Sequence, residues 1–163
     1  MSKEIVYTTR VEFGDCDPAG IVWFPNFFRW IDAASRNFFV QCGVPRWQDM
    51  DPALRLIGTP LVDTKTRFVQ SATYGDTLDI AVRIGEWRGR SFTQTYRVTR
   101  GDVLILECEE VRIFGAKREG GGIRAVAVPA EVRRLCEAAE VPEVLAQGSD
   151  IASSTGSAAP GSR

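Results

Sequence analysis

Apolar and polar residues alternate from the start of the chain, and the period changes once, across a single loop. Between Glu4 and Phe13, Ile5, Tyr7, Thr9 and Val11 alternate with Val6, Thr8 and Arg10, the two-residue repeat of a strand. From Pro25 to about Cys42 the repeat lengthens. Phe27, Trp30, Ile31, Ala34 and Phe38 recur at steps of three and four, while Arg29, Asp32, Arg36 and Gln41 fall mostly on other faces. That predicts one long amphipathic helix, opened by Pro25 in its first turn and stopped by Gly43 and Pro45. A helix this apolar must be covered by other elements. Residues 46–56 predict a connection or a short helix. Strand patterns then cover Ile57–Tyr74, Leu78–Trp87, Ser91–Arg100, Val103–Gly115 and Ile123–Val128. Turns fall at Gly75-Asp76, Arg88-Gly89-Arg90, Gly101-Asp102 and Glu119-Gly120-Gly121-Gly122. Within these strands Leu78, Ile80, Val82 and Ile84 share one face, and so do Phe92, Gln94, Tyr96 and Val98. A small helix is predicted after Pro129, from Ala130 to about Ala139.

Strand, long helix and antiparallel meander in that order predict an α+β fold, one sheet wrapped around one apolar helix. Such a sheet leaves strand edges to cover, which a second copy does most simply. A folded domain is expected over residues 1–140. A flexible tail is expected over 141–163, which is Ser, Ala, Gly and Pro from Gln147 onward. At 44% hydrophobic and 25% charged the chain has an ordinary globular composition, and its formal net charge of −1 offers no basic field for nucleic acid or a membrane surface. No apolar run is long enough to span a bilayer, and the polar start Met1-Ser2-Lys3-Glu4 predicts no signal peptide. Histidine is absent among the 163 residues, which removes a Ser-His-Asp triad, a Cys-His pair and any His-ligated metal. The four cysteines, Cys16, Cys42, Cys108 and Cys136, form no C-x-x-C. They predict reduced, mostly buried thiols, a cytoplasmic setting, and neither metal nor cofactor.

The chemistry concentrates in the loop between the first strand and the helix. Asp15 and Asp17 lie there among Gly14, Pro18 and Gly20, just before Trp23, Phe24 and Pro25. The helix start supplies free N–H groups and partial positive charge. A carboxylate beside such a donor site is suited to acyl chemistry. Asp17, stiffened by Pro18, is the candidate catalyst, against the simpler reading of a turn residue. Asp15 reads as an acceptor that fixes the loop. Cys16 reads as a small filler, since no histidine can activate it. The basic turn at Arg88 and Arg90, followed by Ser91, suits phosphate groups, or is solvated punctuation. Thr59, beside Pro60 at a strand start, and Trp23 are candidate substrate contacts.

The run Phe13-Gly14-Asp15-Cys16-Asp17-Pro18-Ala19-Gly20-Ile21-Val22-Trp23-Phe24-Pro25-Asn26 resembles the signature of the hotdog-fold acyl-CoA thioesterases. The likeness continues through Arg29-Trp30, Asp32 to Asn37, Cys42-Gly43, Gly58-Thr59-Pro60, Glu86-Trp87-Arg88 and Ser91-Phe92, over about residues 5–136. It implies a hotdog fold, a homotetramer built from dimers, and hydrolysis of an aromatic acyl-CoA thioester, with 4-hydroxybenzoyl-CoA as first choice. Other aryl- or short acyl-CoAs are the alternative substrates, and a non-catalytic acyl-CoA-binding protein is the alternative outside enzymes. It implies Asp17 as nucleophile or general base, and the Phe24 backbone N–H as donor to the thioester carbonyl. Relatives can carry Tyr at position 24, and only the side chain differs. It implies that Asp32 meets a ring hydroxyl across the subunit boundary, where a simple pair with Arg36 at i+4 is the alternative. Arg88, Arg90 and Ser91 match a region that holds the nucleotide of coenzyme A. Close relatives carry Lys at position 90 and a basic residue in place of Gly89.

Overall fold

The structure, a computed structural model, describes residues 3–138. The expected domain end at residue 140 and the 141–163 tail lie outside the described residues. The elements run β1 (Glu4–Arg10), α1 (Pro25–Gln41), β2 (Leu56–Gly58), β3 (Leu61–Phe68), β4 (Thr77–Trp87), β5 (Ser91–Arg100), β6 (Val103–Lys117), β7 (Ile123–Val126) and α2 (Ala130–Glu137). Two short 3-10 turns, Trp47–Asp49 and Pro52–Leu54, fill the connection after α1. Every pairing is antiparallel. β1, β4, β5 and β6 lie side by side. β6 is long enough to serve two partners on each edge: β5 then β7 on one, β3 then β2 on the other. This is the sheet-around-helix arrangement expected of a hotdog fold.

The buried face of α1 is Phe27, Trp30, Ile31, Ala34, Ser35, Phe38 and Phe39. It meets Leu78, Ile80, Val82 and Ile84 of β4 and Phe92, Tyr96 and Val98 of β5, all buried. Phe39 widens the predicted stripe. Its ring centroid lies 5.4 Å from that of Trp47 and 5.7 Å from that of Phe92, both nearly edge-on. Full burial of each such side chain contributes about 1.5–3 kcal/mol, so this face holds the helix in the sheet. All four cysteines are free, three buried and Cys16 half-buried.

Three predicted strands are shorter than their patterns, the last of them only by Ala127 and Val128, which follow β7. β1 ends at Arg10, because Val11 bonds to Gly75 and Asp76 and residues Phe13–Asp15 form a 3-10 turn. The single strand expected over Ile57–Tyr74 breaks at Thr59-Pro60, where proline offers no ladder donor. It ends at Phe68. β3 is almost wholly exposed, and its outer edge pairs with nothing among the described residues. No helix among the described residues is long and apolar enough to cross a membrane.

The β4–β5 pairing shifts register between Ile84 and Glu86. There Thr93 Oγ1 accepts from the Glu86 N–H at 2.8 Å. A Cβ on Gly85 would come within 2.6 Å of that oxygen. Gly85→Ala is therefore expected to cost about 1–3 kcal/mol through overpacking, lowering the melting temperature by roughly 3–10 °C. A melting curve that superposes on that of the parent chain would refute the steric account.

Candidate active site

Residues 15–24 form a small closed loop that presents Asp17. Cys16 and Val22 bridge across its base, and Ile21 bridges to Thr73. The Asp17 N–H donates to Ile21 O and the Gly20 N–H to Asp17 O, each at 2.9 Å. Gly20 takes φ of +79°, a conformation that favours glycine. Thr73 Oγ1 secures the Gly20 carbonyl at 2.6 Å. The Ala19 N–H donates to Asp17 Oδ1 at 2.8 Å. Asp17 is thus a turn residue, but only one of its oxygens is used for that. Oδ2 takes no hydrogen bond among the described residues, and the side chain is half-buried. Asp15 fixes the loop to the helix: its carboxylate accepts from the Glu12 N–H at 2.9 Å and from Arg29 Nη2 at 2.7 Å.

Phe24 stands immediately before α1 with helical φ and ψ. Pro25 has no N–H, and the N–H groups of Asn26 and Phe27 already donate to Trp23 O and Phe24 O. The Phe24 N–H is the donor left over, with no acceptor among the described residues. Its side chain is 58% exposed and lines a cleft of about 300 Å³ with Ile21, Val22, Phe27 and Phe68. Trp23 is 56% exposed, so neither aromatic is a core residue.

Asp32 and Thr59 line a second, larger cavity of about 760 Å³, with Phe28, Ser35, Arg36, Glu110 and Arg112. Asp17 does not line it. Asp32 does not pair with Arg36; it accepts from Arg112 Nη2 at 2.9 Å. Arg36 instead lies over the Trp47 ring, 5.3 Å from its centroid. Arg112 also donates through Nε to Glu110 at 2.8 Å and through Nη1 to Thr59 O at 3.1 Å. Burial is the strongest single influence on the Arg112 charge and works against it, but the hydrogen bonds to Glu110 and Asp32 and the attraction of Tyr96 and Glu110 together outweigh it and raise its pKa above the usual range. Glu110 and Arg112 were not among the sequence candidates. Their signal was two opposite charges at i and i+2 on the buried face of β6, between Cys108 and Phe114.

The basic turn lies elsewhere. Arg88 N–H donates to Ser91 O at 2.8 Å, and the Arg88 guanidinium is tied to Glu86 at 2.9 Å. Arg90 is exposed and makes no ion pair among the described residues. The turn sits at the Trp87 end of β4, whereas the Asp17 loop sits beside the Thr77 end, where Arg10 pairs. Eleven residues of strand separate the two, roughly 30–35 Å at the usual rise. One chain therefore brings Asp17 together with Phe24, and Asp32 with Thr59. It does not bring Asp17 and Phe24 together with Arg88, Arg90 and Ser91, whereas Pro60 and Arg90 bond the neighbouring residues Ile113 and Phe114 of β6.

A family profile described as thioesterase-like superfamily matches residues 11–148. The chain is 48% identical over 141 residues to the 4-hydroxybenzoyl-CoA thioesterase of Pseudomonas sp. (strain CBS-3), covering 83% of this chain and 99% of that one. The three-dimensional structure of 4-hydroxybenzoyl CoA thioesterase from that strain matches at 44% identity with a TM-score of 0.77, over 83% of this chain and all of the other. So does the crystal structure of an aspartate-to-asparagine mutant of 4-hydroxybenzoyl CoA thioesterase complexed with 4-hydroxybenzoyl CoA, with a TM-score of 0.76 at 44% identity over 82% of this chain and 98% of that one.

Proposed function

The chain belongs to the thioesterase-like superfamily, and we propose that it hydrolyses an aromatic acyl-CoA thioester, 4-hydroxybenzoyl-CoA first, to the free acid and coenzyme A. The observation that carries this reading is the pairing of a free Asp17 oxygen with an unused N–H at Phe24, both presented by one short loop. The thioester carbonyl oxygen accepts from the Phe24 N–H, which stabilises the charge that grows there. Asp17 Oδ2 either attacks the carbonyl carbon or takes a proton from an attacking water. In the first route the C–S bond breaks to release coenzyme A as its thiolate, and water then cleaves the mixed anhydride. In the second, hydroxide forms the new C–O bond directly as the same C–S bond breaks.

Three features support a homo-oligomer, in our reading a tetramer built from dimers. The β3 edge is open, the Asp32 side chain is 72% exposed, and the phosphate-binding candidates lie a strand's length from Asp17. A second copy against β3 would cover the edge and close the cavity. The nucleotide would then lie on Arg88, Arg90 and Ser91 of one subunit while the acyl group reaches Asp17 of another.

Thiol release from a panel of 4-hydroxybenzoyl-, benzoyl-, other aryl- and short acyl-CoAs tests the reading. Release from none of them would favour a binding protein. Arg88→Ala with Arg90→Ala is expected to raise KM for every CoA ester several-fold with little change in kcat, because the phosphates lie far from the reacting carbon. Arg90 should carry more of the effect, since Glu86 already occupies Arg88. The effect should shrink at high salt. A fall in kcat at constant KM would contradict the phosphate assignment.

A further inference from the structure

We infer that Arg112 is the positioning residue for Asp32, and that the buried side chains behind it set how sharply the enzyme distinguishes a hydroxylated ring from a bare one. This rests on the reading of Asp32 as the acceptor for the ring hydroxyl. Asp32 sits on an exposed stretch of α1, where a carboxylate on its own turns through several rotamers. Arg112 removes that freedom. It is 5% exposed, and each of its three nitrogens has a different acceptor: Glu110 Oε2 at 2.8 Å, Thr59 O at 3.1 Å and Asp32 Oδ1 at 2.9 Å. A guanidinium is planar, so fixing two nitrogens fixes the direction of the third. Asp32 Oδ1 is thereby held, and Oδ2 is left as the acceptor for a ligand.

The support continues inward. Glu110, 2% exposed, accepts from Tyr96 Oη at 2.8 Å. Burial and the neighbouring Glu110 charge keep the tyrosine proton in place far above neutral pH, so this donor does not switch off. Tyr96 Oη also reaches Gln94 Oε1 at 2.9 Å, and Ser35 Oγ donates to the same oxygen at 2.7 Å. Ser35 is on α1, one turn after Asp32. The chain of contacts thus leaves α1 at Asp32, passes through β6 and β5, and returns to α1 at Ser35. It locks helix to sheet at the point where the acceptor stands. Its charges sum to one excess negative, which leaves the acceptor side electron-rich toward a donor hydroxyl.

The test is the ratio of kcat/KM for 4-hydroxybenzoyl-CoA to that for benzoyl-CoA. Arg112→Lys keeps a charge beside Glu110 but loses the planar fork, and should lower the ratio about threefold. Arg112→Met with Glu110→Gln removes both charges, leaves no buried ion unpaired, and should lower it about tenfold. Neither change should lower the ratio further in an Asp32→Ala background, a non-additivity that a merely structural role would not produce. Melting curves check that the variants fold; Arg112→Lys alone decides if the double variant does not. A parent-like ratio in folded variants, or an equal fall without Asp32, overturns the inference. A parent ratio near one removes ring-hydroxyl recognition and this inference with it, while thioester hydrolysis stands. No thiol released from either ester by the parent chain defeats the functional reading itself.

Discussion

Asp17→Asn is expected to lower kcat by about a hundredfold or more, in line with removal of a nucleophile or general base. The geometry makes this a clean substitution. The oxygen that accepts from the Ala19 N–H is retained as the amide oxygen, so the loop keeps its turn. Only the free oxygen is exchanged, for an NH2 that neither attacks a carbonyl nor takes a proton. The melting temperature should therefore stay close to that of the parent chain while turnover collapses. A hundredfold corresponds to about 2.7 kcal/mol of transition-state stabilisation. Cys16→Ala should cause no comparable loss, since its half-buried thiol packs against the core, and the double variant should be no worse than Asp17→Asn alone. Near-normal turnover by Asp17→Asn, or an equal loss from Cys16→Ala, would contradict the assignment.

The Asp17 loop was legible because its chemistry is local. Gly20 at positive φ, Pro18 after Asp17 and Pro25 at the helix start each act within a few residues. The alternation of Leu78 to Ile84 and of Phe92 to Val98 likewise identified the faces that the structure buries. It placed Gln94 correctly on the inward face, but could not show what an amide does there, since its partners Ser35 and Tyr96 come from another element or another position of the strand. The partner of Asp32 was out of reach for the same reason. Helical spacing offers Arg36 four residues on, yet the observed partner lies 80 positions away on β6. Thr59 was legible as a candidate by its place before Pro60, but what it supplies to Arg112 is its backbone carbonyl, which no side-chain pattern records. The end of β3 carried no local signal either: Val69 and Gln70 still look extended and both donate to Ile105 O, but the ladder with β6 stops at Phe68.

In the parent chain, 4-hydroxybenzoyl-CoA should exceed benzoyl-CoA in kcat/KM by roughly ten- to a hundredfold, and Asp32→Ala should shrink that ratio by harming the hydroxylated substrate more. Asp32 stands about two turns beyond Pro25, too far along α1 to cap it. Its Oδ1 is occupied by Arg112 and its other oxygen is free to accept a para hydroxyl. A hydrogen bond to a charged group is worth ~1.5–3 kcal/mol, which is the source of the expected ratio. That worth depends on removing water. In one chain the Asp32 side chain is 72% exposed, where a hydroxyl would merely replace a solvent molecule for little gain. The full ratio is therefore expected only with a second subunit over the cavity, as in the proposed oligomer, and dilution that dissociates such an oligomer should lower it. Arg112 keeps Glu110 and the Thr59 carbonyl when Asp32 is lost, so the variant should fold. If Asp32 serves only as a counter-ion to Arg112, the substitution would scale both substrates alike, and an unchanged ratio would decide against its role in ring recognition.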